Sequence, residues 1–333
     1  MPMNRFSILA PLLALALALL GGTAGAETLK IATLAPDGTT VTTSLREGAK
    51  EVEIATQGRV QVKIYAGGVM GSDAQVMRKM RAGQLQAATL SAGSLEQMDF
   101  SFGIIGMPML VTTPAQADAA RAAVEPELLR RMKAKGLDCT GLIEVGFIHV
   151  MGAVPVHGPA DMTRIKPWLP EGSQLGQDAF SAFGVTPIPL PLPDVLTGLQ
   201  TGVIDTVVSS PVAALALQWF TRIKHIMDEP LLYSYSTLAF QDRALAKLSD
   251  ADRKTVMDIF TRRMSEVDKS VRLENDSALQ ALLAQGITLE PVTPEGHARF
   301  KAVADELVER YRDEGKLDPA LLEKVRAAIR AVN

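Results

Sequence analysis

Residues 191–211 read PLPDVLTGLQTGVIDTVVSSP, one complete helix, turn and strand in a row. Asp194 stands where a short helix takes its N-cap, Gly202 stands where that helix stops, and Val203–Val208 is an apolar run ended by Ser209, Ser210 and Pro211. The same unit occurs earlier in the chain. Sliding back 119 positions lays Val76–Ser91, VMRKMRAGQLQAATLS, over Val195–Ser210, with Gly83 on Gly202 and Ser91 on Ser210. Two copies of one unit predict two similar lobes.

Working outward, strand and helix patterns alternate. The first half predicts strands at Leu29–Leu34, Val60–Tyr65 and Leu85–Leu90, and helices at about 43–56, Ala74–Ala82 (capped by Asp73) and Pro114–Gly136. Strand Leu142–Met151 then crosses to a second lobe holding strand Ile165–Leu169, helix Ser173–Phe183 and strand Pro187–Leu192 before the opening unit. Thr237–Phe240 rejoins the first sheet, so two connections make a hinge. From the N-cap Ser249 a long helical pattern reaches about Ala284, and two amphipathic helices follow from Pro294 and Pro319. This is an α/β protein in which mixed sheets are covered by helices. In open sheets of this kind ligands sit beyond the carboxyl ends of strands, which turns the loops Ala35–Thr39, Gly67–Asp73 and Ser91–Ser94 towards one crevice.

The first 26 residues read as a secretory signal peptide: Arg5, an apolar run from Ile8 to Leu20, then Ala24-Gly25-Ala26 before Glu27. Cleavage near Ala26 removes only Arg5 among charged residues, so the formal charge of −3 becomes −4. A weakly acidic chain argues against nucleic acid. With 47% hydrophobic and 21% charged residues the composition is that of a globular protein. The lone Cys139 forms no internal disulfide and reads as a small buried hydrophobe.

The sequence offers no catalytic set. His149, His157, His225 and His297 fall in no metal-ligand spacing, there is no nucleophile elbow, and Gly67-Gly68-Val69-Met70-Gly71 lacks the spacing of a phosphate loop. A binder that needs no cofactor is the better reading than an enzyme.

The pattern of Leu199–Asp205, LQTGVID, resembles the signature of the periplasmic solute-binding proteins of tripartite ATP-independent (TRAP) transporters, the DctP family. LKIATLAP (Leu29–Pro36), GRVQVKIYAGGVMGSD (Gly58–Asp73) and WLPEGS (Trp168–Ser173) match in order and spacing. The resemblance implies a two-lobed binding-protein fold with two mixed sheets and a long helix across both lobes. It implies lobe I from 27–151 plus about 237–255, lobe II from 152–236 plus about 285–333, and the spanning helix at about 250–284. It further implies a periplasmic receptor that passes an organic acid to the permease subunits of a TRAP transporter.

The family commonly grips a ligand carboxylate with an arginine on the second-lobe strand, a position held here by Trp168; a second arginine position falls on Ile148. Both cations are absent. Burying a carboxylate without an opposing charge is costly, so the expected ligand is neutral, aromatic or largely apolar. Trp168 would supply a stacking face and an N–H donor, with Met70, Met151 and Leu192 as wall. Glu171, Ser209, Asp73 and Ser91 match contact positions of the family, and Asp37 is a turn residue that doubles as a contact. His149 and Lys166 are the remaining cations nearby, each set to point away from the neighbouring contact position. Competing readings are a binding protein for another importer or a sensor, and a carrier of lipid or another apolar ligand.

Overall fold

A computed structural model describes residues 26–332. Except for Ala26, the expected signal peptide lies outside the described residues.

The repeated unit folds the same way twice. Helix Asp73–Arg81 leads through Gly83 (φ 75°) into β3 (Ala87–Ser91), and helix Val195–Thr201 leads through Gly202 (φ 74°) into β8 (Thr206–Ser209). Both turns need the left-handed backbone that glycine adopts without strain. Each strand runs into a serine that caps a short helix, Ser91 at the end of β3 accepting from the Ser94 N–H at 3.2 Å and Ser210 just after β8 accepting from the Ala213 N–H at 3.3 Å.

Local chemistry shifts some boundaries. Asp194 takes the N-cap position, but a 3₁₀ turn at Leu192–Asp194 runs straight into the helix, so its backbone is already helical and its side chain makes no cap. Asp73 is the first helical residue rather than the cap. Ser72 precedes it, and its N–H is taken by Gln75 at 3.0 Å. The strand expected from Val203 starts three residues later, because Asp205 is a strut: its carboxylate accepts the Lys166 N–H at 2.7 Å and the Thr206 hydroxyl at 2.9 Å.

Around β1 (Glu27–Ala32) lie β2 (Val60–Tyr65) and β3, both parallel to it. Two ten-residue strands, β5 (Ile143–Gly152) and β10 (Leu232–Gln241), carry the sheet onward. The first half of β5 pairs antiparallel with β10, while its second half pairs with β8 and β9 (His225–Met227); β10 in turn pairs with β3. The sheets of the two lobes are therefore continuous through β5. With β4 (Leu137–Cys139) and β11 (Thr288–Glu290) the array has nine strands, and β6 (Trp168–Pro170) pairs parallel with β7 (Ile188–Leu190) beside it.

Helix Asp250–Ala284 buries Val256, Phe260, Met264, Val267, Val271, Ala278 and Leu282, one stripe at helical spacing. Val256 to Val267 pack in the first-lobe core with Leu29 and Ile31; Leu282 packs in the second with Met151 and Ile204. One rigid rod thus braces both lobes. The C-terminal segment is shared out differently from the sequence reading, which placed 285–333 wholly in lobe II. Phe300 and Ala304 do pack there, but Leu321, Leu322, Val325 and Ile329 sit in the first-lobe core with Val124, Leu128 and Met132.

Candidate ligand-binding cleft

Two adjoining cavities of about 260 and 270 Å³ lie between the lobes, and Asp73, Ser91, Trp168 and Ser209 line both. The fold explains the convergence: Asp73 opens the helix that leads into one repeat and Ser91 closes that repeat, while Ser209 ends the strand of the other and pairs across from His149 of β5. Ile148 and Glu171 line the first cavity and Leu192 lines the second. Asp37 lies outside both; it is exposed and paired with Arg46 at 2.8 Å, which holds its carboxyl below the usual range. Met70 also lies outside, lining a surface depression with Arg78 and Lys79, its carbonyl accepting the Lys79 ammonium at 2.7 Å. Met151 is fully buried in the second-lobe core.

Trp168 is 5% exposed and meets Trp219 edge-on, with ring centroids 5.4 Å apart. Its N–H is already given to the Leu190 carbonyl at 2.9 Å, so it offers a ligand only apolar surface. His149 sits with Nδ1 2.9 Å from the Met227 carbonyl, and burial lowers its pKa, which favours the neutral ring. Lys166 turns away from the cleft and donates to the Gly202 carbonyl at 2.6 Å.

No Lys, Arg or His is found among the described residues lining the two cavities, whereas Asp73, Glu96, Glu144, Glu171 and Glu274 are. Glu144 is neutralised, since Arg272 reaches it at 2.8 Å and the Tyr233 hydroxyl donates to it at 3.0 Å. Asp73 Oδ2 accepts the Ser91 hydroxyl at 2.7 Å and the Ser94 hydroxyl as well, yet burial still raises its pKa. Burial also raises Glu96, which is pushed up to about 7 against the lowering effect of the Leu175 N–H.

Glu96 escaped the sequence reading. Its role is visible only in three dimensions, where helix Ala92–Glu96 places it against Gly103 and against the start of helix Gln174–Ala182 from the opposite lobe. Tyr233, Ser234, Val145 and the Thr89–Thr33 hydroxyl pair (2.6 Å) are further lining groups carrying no sequence motif.

The lobes touch at the cleft mouth, where Gln97 donates to the Gly172 carbonyl at 3.2 Å. At the hinge, Asn275 of the long helix donates to the Val145 carbonyl of β5 at 3.0 Å and accepts the Val212 N–H of the second lobe at 3.3 Å.

Comparison with known proteins places this architecture. The fold is shared with the Bordetella pertussis extracytoplasmic solute receptor DctP7, solved with pyroglutamic acid (TM-score 0.83, 21% identity, 92% of this chain and all of that one). It is also shared with the sugar acid binding protein DctPAm of Advenella mimigardefordensis, solved with galactonate (TM-score 0.84, 18% identity, 92% and 99% covered). In sequence, a solute-binding protein of Verminephrobacter eiseniae is 26% identical over 285 residues, 84% of this chain and 83% of its own. The ectoine-binding periplasmic protein TeaA of Halomonas elongata is 24% identical over 294 residues, 81% of each chain. The model of the bacterial extracellular solute-binding proteins, family 7 (DctP), matches residues 31–314, and the chain belongs to that family.

Proposed function

We propose that the chain is an exported receptor that holds one small organic solute between its lobes and delivers it to the membrane permease of a TRAP transporter. The observation that carries this reading is the pair of cavities walled from both lobes, with Asp73, Ser91, Trp168 and Ser209 common to both. The similar proteins named above are described with pyroglutamic acid, galactonate and ectoine, which supports a small organic solute here. The chemistry differs here: the lining offers a ligand carboxylate no cation, and much of it is apolar, including Trp168, Ile148, Leu192, Phe180 and Phe183. A neutral, aromatic or largely apolar solute is therefore favoured over a simple dicarboxylate.

Solute entering an open form would bridge Ser91 and Asp73 on one side to Trp168, Glu171 and Ser209 on the other, and would stabilise the closed form by its higher affinity for it. β5 and β10 are the strands about which the lobes would rock. Residues 1–26 supply the export signal in this reading, and the permease recognises the closed receptor. Calorimetric titration with small acids beside neutral and aromatic solutes tests the ligand class. Submicromolar binding of a dicarboxylate that Trp168→Ala leaves unchanged would overturn it.

A further inference from the structure

Glu96 is an unusual residue to find in the wall of this cleft. It is 8% exposed, and its Oε2 has no hydrogen-bond partner. The protein has made room for it: a Cβ on Gly103 would lie 2.8 Å from Glu96 Oε1. From the opposite lobe the Leu175 N–H approaches the Glu96 carboxyl. An unpaired carboxylate oxygen buried at this depth costs stability unless something else satisfies it.

Asp73 lines the same cavity, with both serine hydroxyls converging on its Oδ2. The groups around Glu96 supply no positive charge: Tyr235 on β10 and Tyr311 lie near enough to feel its carboxylate, Tyr233 of β10 lines the same cavity, and Asp178 on helix Gln174–Ala182 accepts the Tyr311 hydroxyl. Lys316 is the nearest cation to Asp178, at 3.9 Å, and it does not line the cavity. The same chamber is also lined by Ile148, Trp168, Phe180 and Phe183.

We infer that Glu96 and Asp73 form a subsite for a hydrogen-bond-donating head group, an ammonium ahead of a hydroxyl, on a ligand whose body is apolar or aromatic. The inference rests on the receptor reading above and adds the polar end of its ligand. An ammonium brings donors to Glu96 Oε2 and offsets the charge of both carboxylates, and a hydroxyl brings one donor without the charge. A ligand carboxylate would meet two acids with no counter-ion beside them.

The test uses three probes sharing one aromatic body: phenethylamine, phenethyl alcohol and hydrocinnamate. They are titrated calorimetrically into the wild-type chain, Glu96→Gln, and Ser209→Trp, which fills the cleft from the second lobe. Chemical denaturation first establishes that each variant is folded. Phenethylamine is expected to bind tightest and hydrocinnamate weakest, with Glu96→Gln weakening the amine about tenfold or more and the alcohol far less. Ser209→Trp should abolish binding of both. If hydrocinnamate binds tightest, or if Glu96→Gln leaves the amine unchanged while Ser209→Trp removes it, the acidic subsite is wrong and the cleft remains the site. If no probe binds, or binding survives Ser209→Trp, the interlobe reading falls and the subsite falls with it.

Discussion

Replacing Glu96 by glutamine should flatten part of the dependence of stability on pH. In the folded chain burial holds this carboxyl at about 7, against 4.5 for an ordinary glutamate. The unfolded chain therefore releases the proton first as pH rises, and the folded chain binds more protons between the two values. Stability from this group is fully present below about 4.5 and is lost as pH climbs through about 7. Over the step from pH 5 to pH 8 that loss comes to about 2.5 kcal/mol, at roughly 1.4 kcal/mol per unit. Glutamine carries no such proton. The wild-type chain should lose about 2.5 kcal/mol more than Glu96→Gln over the same step, whatever the variant does to stability at a single pH. Urea denaturation of both proteins at the two pH values measures the difference, in which the titration of all other groups cancels. Equal losses in the two proteins would mean that Glu96 is ionised normally, and its burial would then need another explanation.

Four more outcomes follow from particular contacts. Trp168→Ala removes a buried ring packed on Trp219 and should cost about 3–5 kcal/mol in denaturant unfolding. Glu144→Ala leaves Arg272 with Asp118 and Arg121 with Asp268, but takes the acceptor from the buried Tyr233 hydroxyl, and should cost about 1–3 kcal/mol in denaturant unfolding. Asp205→Ala removes the partner of the exposed Lys166 N–H; a loss of about 0.5–1.5 kcal/mol and faster proteolysis around Lys166 are expected, and an unchanged digestion pattern would refute the strut. The Cys139 thiol is pushed up to about 12 by burial, so iodoacetamide at pH 8 should label it only after unfolding; stoichiometric labelling of the folded chain would contradict that.

What could be read from the sequence was whatever depends on neighbours along the chain. Gly83 and Gly202 marked matching turns because only a left-handed residue lets a helix drop into a strand there, and Ser249 marked the start of the long helix because its hydroxyl caps Asp252 three residues on. Side chains committed to remote partners could not be read. Trp168 was expected to offer an N–H donor, but that donor belongs to Leu190, brought alongside by pairing of β6 with β7. Asp37 was expected in the cleft and instead pairs with Arg46 of the following helix. Glu96 gave no sign at all, since an acidic residue in SLEQMD looks like any solvated one until the opposing lobe closes over it. The final helix shows the same limit: its apolar stripe predicted burial without saying against which lobe.

The order of strands has a consequence for how the polypeptide is made. β3 lies between β1 and β10, and the last helix, Pro319–Arg330, closes over Pro114–Ala134. The N-terminal core therefore waits for residues synthesised some two hundred positions later, and no leading fragment contains a finished half. A polypeptide wired this way should complete its first core only after its last helix has been made.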